Sequence, residues 1–250
     1  MAATAQRAPR GAAVLPRRPV GGGAAPTLLL AVHGTRGPRG TAAARGLARA
    51  AARRTGAPVR LAFADVLAPD VGEVAATVDG PLVVVPAFLA AGYHVRVDIP
   101  GQLERAGRAD AVLTPALGGD DRLVTAAARR LRRSGWRPGD AVVLAAAGSS
   151  DPAARAEVAD AAARLAAHLA TPVAQAYVAT ARPTVCEAVA RLREQGAARV
   201  GVAAWLLAPG LFHRRLAQAG ADTVAAPLCP DPAVADIVAA RYHAAVRAAA

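Results

Sequence analysis

The sequence predicts an α/β fold of two similar lobes, each a parallel sheet flanked by helices. Three observations carry this. Segments 28–133 and 142–247 read as two versions of one unit: at one constant offset Gly34 meets Gly148, Pro38 meets Pro152, Phe63 meets Tyr177 and Pro69 meets Pro183. Short β-rich runs alternate with longer Ala/Arg/Leu-rich segments, the pattern of strand–helix–strand crossovers. The runs at 28–32 and 82–88 are apolar without alternation, as strands covered on both faces are.

The elements follow in order. Residues 27–32 form a strand, 34–38 a turn, and Pro38 suits the first position of a helix that ends before Gly56. Strand 59–64, helix 71–78, strand 82–88, helix 97–106, strand 111–113 and helix 120–133 complete the first unit. The second repeats it: strand 141–146, helix 152–170, strand 173–178, helix 184–195, strand 200–205, helix 212–219, strand 223–226 and helix 232–249. The expected division is a disordered tail over 1–26, a lobe over 27–135 carrying the site, and a degenerate lobe over 136–250. The tail is mostly Ala, Gly, Pro and Arg, without an acidic residue. Its Arg17-Arg18 pair is not followed by an apolar run long enough for export.

Composition narrows the class. All 30 basic residues are Arg and the net charge is +12, which favours anionic partners. Aromatics make up only 3%, too few stacking platforms to support nucleic-acid binding, and no stretch is long enough for a membrane span. Cys186 and Cys229 stand far apart without metal-ligand spacing, the pattern of two buried thiols in a reducing cytoplasm.

The reactive side chains are kept in only one unit. His33, Asp65 and His94 follow the first three strands, on the rim where ligands of parallel sheets bind. Their register partners are Ala147, Ala179 and Phe212. A scaffold requirement acts on both copies alike; a site needed once leaves the other copy free to lose it. Two imidazoles and a carboxylate suit a divalent first-row metal, and imidazoles accept protons near neutral pH. Taken singly, each fits a structural role as well. The turns Gly34-Thr35-Arg36 and Gly148-Ser149-Ser150 offer backbone N–H groups to an anion. Arg36, Arg96 and neighbouring arginines could fork ligand carboxylates. His213, one position past Phe212, is out of register as a replacement ligand but near the same cleft. Gly34, Gly37 and Gly40 mimic a dinucleotide fingerprint with the wrong spacing.

These residues resemble the sirohydrochlorin chelatases of the class II chelatase superfamily in their two-lobed form. The likeness rests on Val32-His33-Gly34-Thr35-Arg36, on Phe63-Ala64-Asp65 with Pro69, and on residues 86–94 running into Asp98-Ile99-Pro100. Gly148-Ser149-Ser150-Asp151-Pro152 and Leu206-Leu207-Ala208-Pro209-Gly210 extend it. The resemblance implies two chelatase-like lobes facing across a cleft and ATP-independent insertion of ferrous iron, or cobalt, into sirohydrochlorin. The pathway is that of sirohaem or cobalamin. It implies His33, Asp65 and His94 as catalytic and metal-holding residues, with Asp65 balancing charge and orienting an imidazole. Substrate contacts are expected from Gly34, Thr35, Arg36, Arg96, Ser149, Ser150, Gly210 and His213. No cofactor is expected to be permanently bound; the metal is a substrate. The expected partner is the anionic tetrapyrrole, with no nucleic acid and no membrane, in a monomer or homodimer. The family commonly has Glu where this chain has Asp65. The alternatives are a non-catalytic metal or tetrapyrrole carrier of the same fold, and a chelatase for another tetrapyrrole.

Overall fold

A computed structural model describes residues 25–249. The expected tail over 1–26 lies outside the described residues as far as residue 24; Pro26 is held by the Tyr242 hydroxyl, which donates to its carbonyl at 2.6 Å. The first unit runs β1 (Thr27–Val32), α1 (Pro38–Thr55), β2 (Val59–Phe63), α2 (Val71–Ala76), β3 (Leu82–Pro86), a π-helical turn (His94–Asp98), α3 (Ile99–Arg105), β4 (Val112–Leu113) and α4 (Asp121–Arg133). The second runs β5 (Ala141–Ala146), α5 (Pro152–Leu169), β6 (Val173–Tyr177), α6 (Val185–Glu194), β7 (Val200–Trp205), α7 (Leu211–Leu216), β8 (Thr223–Val224) and α8 (Pro232–Ala249).

The strands form two parallel four-stranded sheets, ordered β2-β1-β3-β4 and β6-β5-β7-β8. The predicted α/β architecture with an internal repeat is what the chain adopts. Local signals account for most boundaries. Pro38 and Pro152 open α1 and α5, and Gly56 closes α1 with φ 67°. Asp70 and Thr184 start α2 and α6 as reciprocal capping boxes with Glu73 and Glu187.

The non-alternating strands are explained by cover on both faces. Leu28, Leu30 and Val32 of β1 face a core that continues into the second sheet through Val142, Leu144 and Trp205. Leu29 and Ala31 face the other way, onto Val71, Ile99 and Leu103 of α2 and α3. The second sheet repeats this with Val143 and Ala145 against α6 and α7.

The last helix of each unit packs on the other unit. Helix α4 lies against α5 and β7, and α8 lies against α1 and β3, with α4 and α8 touching. Arg129 and Arg130 of α4 reach Asp231 at the start of α8, at 2.5 and 3.9 Å. The two sequence units therefore share one core. Cys229 is buried as expected, whereas Cys186 is exposed because it sits on the outer helix α6. Among the described residues no helix is long and apolar enough to cross a membrane.

Candidate functional site

Backbone geometry brings the first two residues together. The Ala64 N–H donates to the Val32 carbonyl at 2.8 Å and the Asp65 N–H to the His33 carbonyl at 3.2 Å, extending the β1–β2 ladder past both strand ends. Gly34 then turns the chain at φ 97°, where a Cβ would come within 2.5 Å of the Asp65 carbonyl oxygen. Val66 takes φ 72° and its N–H donates to Asp65 Oδ1 at 2.7 Å, aiming the carboxylate along the rim. A β-branched residue in the left-handed region costs on the order of 1–3 kcal/mol. Thr180 repeats the conformation at φ 64° beside Ala179, and Gly148 repeats the Gly34 turn at φ 106°. The strained turns belong to the shared scaffold; the carboxylate is particular to the first copy.

His94 arrives differently from expectation. It does not end a strand but opens the π-helical turn, three residues before the predicted helix start. The Gly92 carbonyl accepts from Val95 and Arg96 N–H at 3.1 and 3.0 Å, so the helix is already wound there. The rings of His33 and His94 lie 4.9 Å apart, with Phe88 6.3 and 6.1 Å from each. One ligating atom from each of His33, Asp65 and His94 falls within 4.8 Å of the others. With metal–ligand bonds of about 2.0–2.2 Å, donors around one ion lie about 3–4 Å apart, so small side-chain rotations close this set on a metal.

Asp98 holds His94. Its Oδ2 lies 3.0 Å from His94 Nδ1, four residues back on the same helical face. With Nδ1 carrying the proton, Nε2 presents its lone pair to the rim. At His94 the imidazole-orienting task expected of Asp65 falls to Asp98. Asp98 in fact makes no capping bond. The i,i+4 spacing was the available signal, hidden by starting the helix at residue 97.

His33 is exposed and borders a large cleft, yet its surroundings withdraw bulk water from its ring. That desolvation first, then the neighbouring His94, lowers its pKa from 6.5, against a weaker opposing pull from Asp65. We predict that the His33 ring of the metal-free protein titrates below pH 6.5, moves up in His94→Ala and moves further down in Asp65→Ala. Side-chain NMR against pH measures this; titration at or above 6.5 would contradict the environment described.

The cleft has a volume of about 910 Å³, towards the upper end of small-molecule sites. Gly34, Thr35, Arg36, Ser149, Ser150, Gly210 and His213 all border it, as do Arg214, another of the candidate carboxylate forks, and Arg155, which was not singled out. Val66, Tyr93 and Leu211, three of the few large apolar side chains left exposed among the described residues, border it too. His213 is tied to its own lobe through Nε2, 3.0 Å from the Ala225 carbonyl. Thr35 and Ser149 also close the lobes reciprocally. A Cβ on Gly210 would come 3.0 Å from Thr35 Oγ1, and one on Gly92 would come 3.3 Å from Ser149 Oγ.

Arg96 is the expected contact that the structure does not bring to the cleft. Its Nε donates to the Ala91 carbonyl at 2.5 Å and lies 3.6 Å from Asp151; its Nη2 meets Glu157 Oε1 at 3.2 Å. Glu157 Oε2 also accepts from the Ala91 N–H at 2.8 Å. A helix of the second lobe thus clamps the loop leading to His94, and the neutralising carboxylates leave Arg96 no free fork for a ligand. At the register position of Glu157 the first lobe has Ala43, and Arg214, the counterpart of Arg96, borders the cleft with no salt bridge among the described residues.

Duplicated parallel sheets around a cleft, with one group of side chains able to hold a metal on the rim of a single copy, define a two-lobed α/β protein of chelatase type. The CbiX family model matches residues 27–134 and again 141–245, and the chain belongs to that family. Among solved structures it is similar to SirB from Bacillus subtilis with Fe3+, at TM-score 0.74 and 21% identity, covering 90% of this chain and 96% of that one. The sirohydrochlorin chelatase SirB from Bacillus subtilis subspecies spizizenii in complex with cobalt matches at TM-score 0.68 and 18% identity over 89% and 96%. CbiX, the terminal enzyme of siroheme biosynthesis in denitrifying bacteria, matches at TM-score 0.67 and 25% identity over 88% and 99%. Among curated protein sequences none matches.

Proposed function

We propose that this protein is a metal chelatase that inserts ferrous iron, or cobalt, into sirohydrochlorin, acting in the cytoplasm. The observation that carries the reading is the convergence of His33, Asp65 and His94, with both imidazoles bordering the cleft and the carboxylate just beside it. Membership of the CbiX family and likeness to sirohydrochlorin chelatases support the substrate. The cleft's chemistry fits a planar polycarboxylate. Val66, Tyr93 and Leu211 offer apolar contact to the ring faces, and Arg36, Arg155 and Arg214 offer charge to its carboxylates.

The side chains divide the work. His33 and Asp65 keep the ion at the rim. His94 releases the metal to the macrocycle and takes up a pyrrole proton; Asp98 behind Nδ1 stabilises the imidazolium that results. A second pyrrole proton passes to His33 or to water. Holding ring and ion in one cleft replaces a bimolecular encounter by a positioned one.

Anaerobic absorbance spectroscopy of sirohydrochlorin with ferrous iron or cobalt tests this. Catalytic amounts of protein are expected to convert many equivalents to the metallated spectrum. Conversion or binding that stops at one equivalent would identify a carrier instead, and no change over the protein-free rate would end the chelatase reading.

A further inference from the structure

Gln102 lies on α3 two helical turns beyond His94 and is only 7% exposed. It does not border the cleft. Its Oε1 accepts from the Val71 N–H at 2.9 Å, and its Nε2 donates to the Ala64 carbonyl at 3.2 Å and to Asp98 Oδ1 at 3.1 Å. The other Asp98 oxygen holds His94. Ala64 immediately precedes Asp65, and Val71 begins α2. One buried amide therefore pins both ends of the segment that presents Asp65 and braces the carboxylate that presents His94. Buried and satisfied on both its oxygen and its nitrogen, it is a rigid link between the two.

The second lobe shows that this link is not demanded by the scaffold. In the register that pairs His94 with Phe212, Asp98 meets Leu216, the last residue of α7, so that helix ends before it offers a place for Gln102. The apolar positions around them persist: Ala64 meets Val178 and Val71 meets Val185. The chain of His94, Asp98 and Gln102 was lost as a whole where the site was lost, and Leu216 is simply buried in apolar core. A brace needed to join helix to strand would have been needed twice.

We propose that Gln102 is a positioning residue that sets the separation of Asp65 and His94 and so tunes how tightly the site holds its metal. The inference rests on the metal-site reading above. The test compares wild type with Gln102→Met, which keeps shape without hydrogen bonds, and Gln102→Glu, which keeps only the acceptor. Cobalt affinity is read by visible absorbance titration, and metal-free sirohydrochlorin affinity by tryptophan quenching. Thermal unfolding is followed alongside. Cobalt affinity is expected to fall about tenfold, the lower end of losses for outer partners of metal ligands, with macrocycle affinity unchanged. Cobalt affinity within about twofold of wild type would overturn the proposal. So would an equal fall in macrocycle affinity, which marks general loosening. Should Gln102→Met not fold, Gln102→Glu carries the same comparison. Cobalt binding unaffected by His33→Ala and His94→Ala would remove the site itself, a result visible with Gln102 intact.

Discussion

Alanine at His33 or at His94 is expected to lower the rate of metal insertion by about 10²–10⁴-fold, the range for losing a positioned proton acceptor, since each change also removes a metal ligand. The fold should survive both. His33 contributes to its turn through its carbonyl, which accepts from the Asp65 N–H, and its ring is exposed to the cleft. His94 packs against Phe88 and Tyr93 without entering the apolar core. Initial rates followed by macrocycle absorbance, with thermal unfolding of each variant, make the comparison. His213→Ala provides the contrast, because its Nε2 is committed to Ala225. Wild-type rates in either first-lobe variant, or an equal loss from His213→Ala, would contradict the placement of the chemistry in one lobe.

The second large effect is expected from Asp98→Ala, at about 10–100-fold in kcat/KM, the usual cost of removing the partner that orients a metal-bound imidazole. The Nδ1 of His94 then loses its acceptor at 3.0 Å, and the ring is free to flip and to choose the other tautomer. Asp98→Asn should fall between wild type and alanine, since its amide oxygen still accepts from Nδ1–H but carries no charge. The KM for sirohydrochlorin should stay unchanged, because Asp98 does not border the cleft. A loss confined to that KM would assign Asp98 to the macrocycle instead.

The parts of the molecule that were legible in the sequence are those set by local chemistry. Uninterrupted apolar runs marked strands covered on both faces, paired glycines and prolines marked the turns, and Pro38 marked the start of α1. His33, Asp65 and His94 stood out because duplication supplied an internal control. The exchange of α4 and α8 was not legible. A helix's periodicity shows that it has an apolar face, not which of two equivalent sheets receives it. Arg96 looked like a ligand fork because its partners Asp151 and Glu157 come from the other lobe, more than fifty positions away. Asp98 and Gln102 were hidden for another reason. Polar residues near a helix start have many ordinary roles, and only the π-helical turn beginning at His94 shows all three on one face.

The most direct test of a single metal site in the first lobe is anomalous X-ray scattering at the cobalt edge from crystals grown with the ion. One peak is expected between His33, Asp65 and His94, with none at Ala147, Ala179 and Phe212. An ion bound elsewhere in the cleft, with these three side chains unengaged, would contradict it.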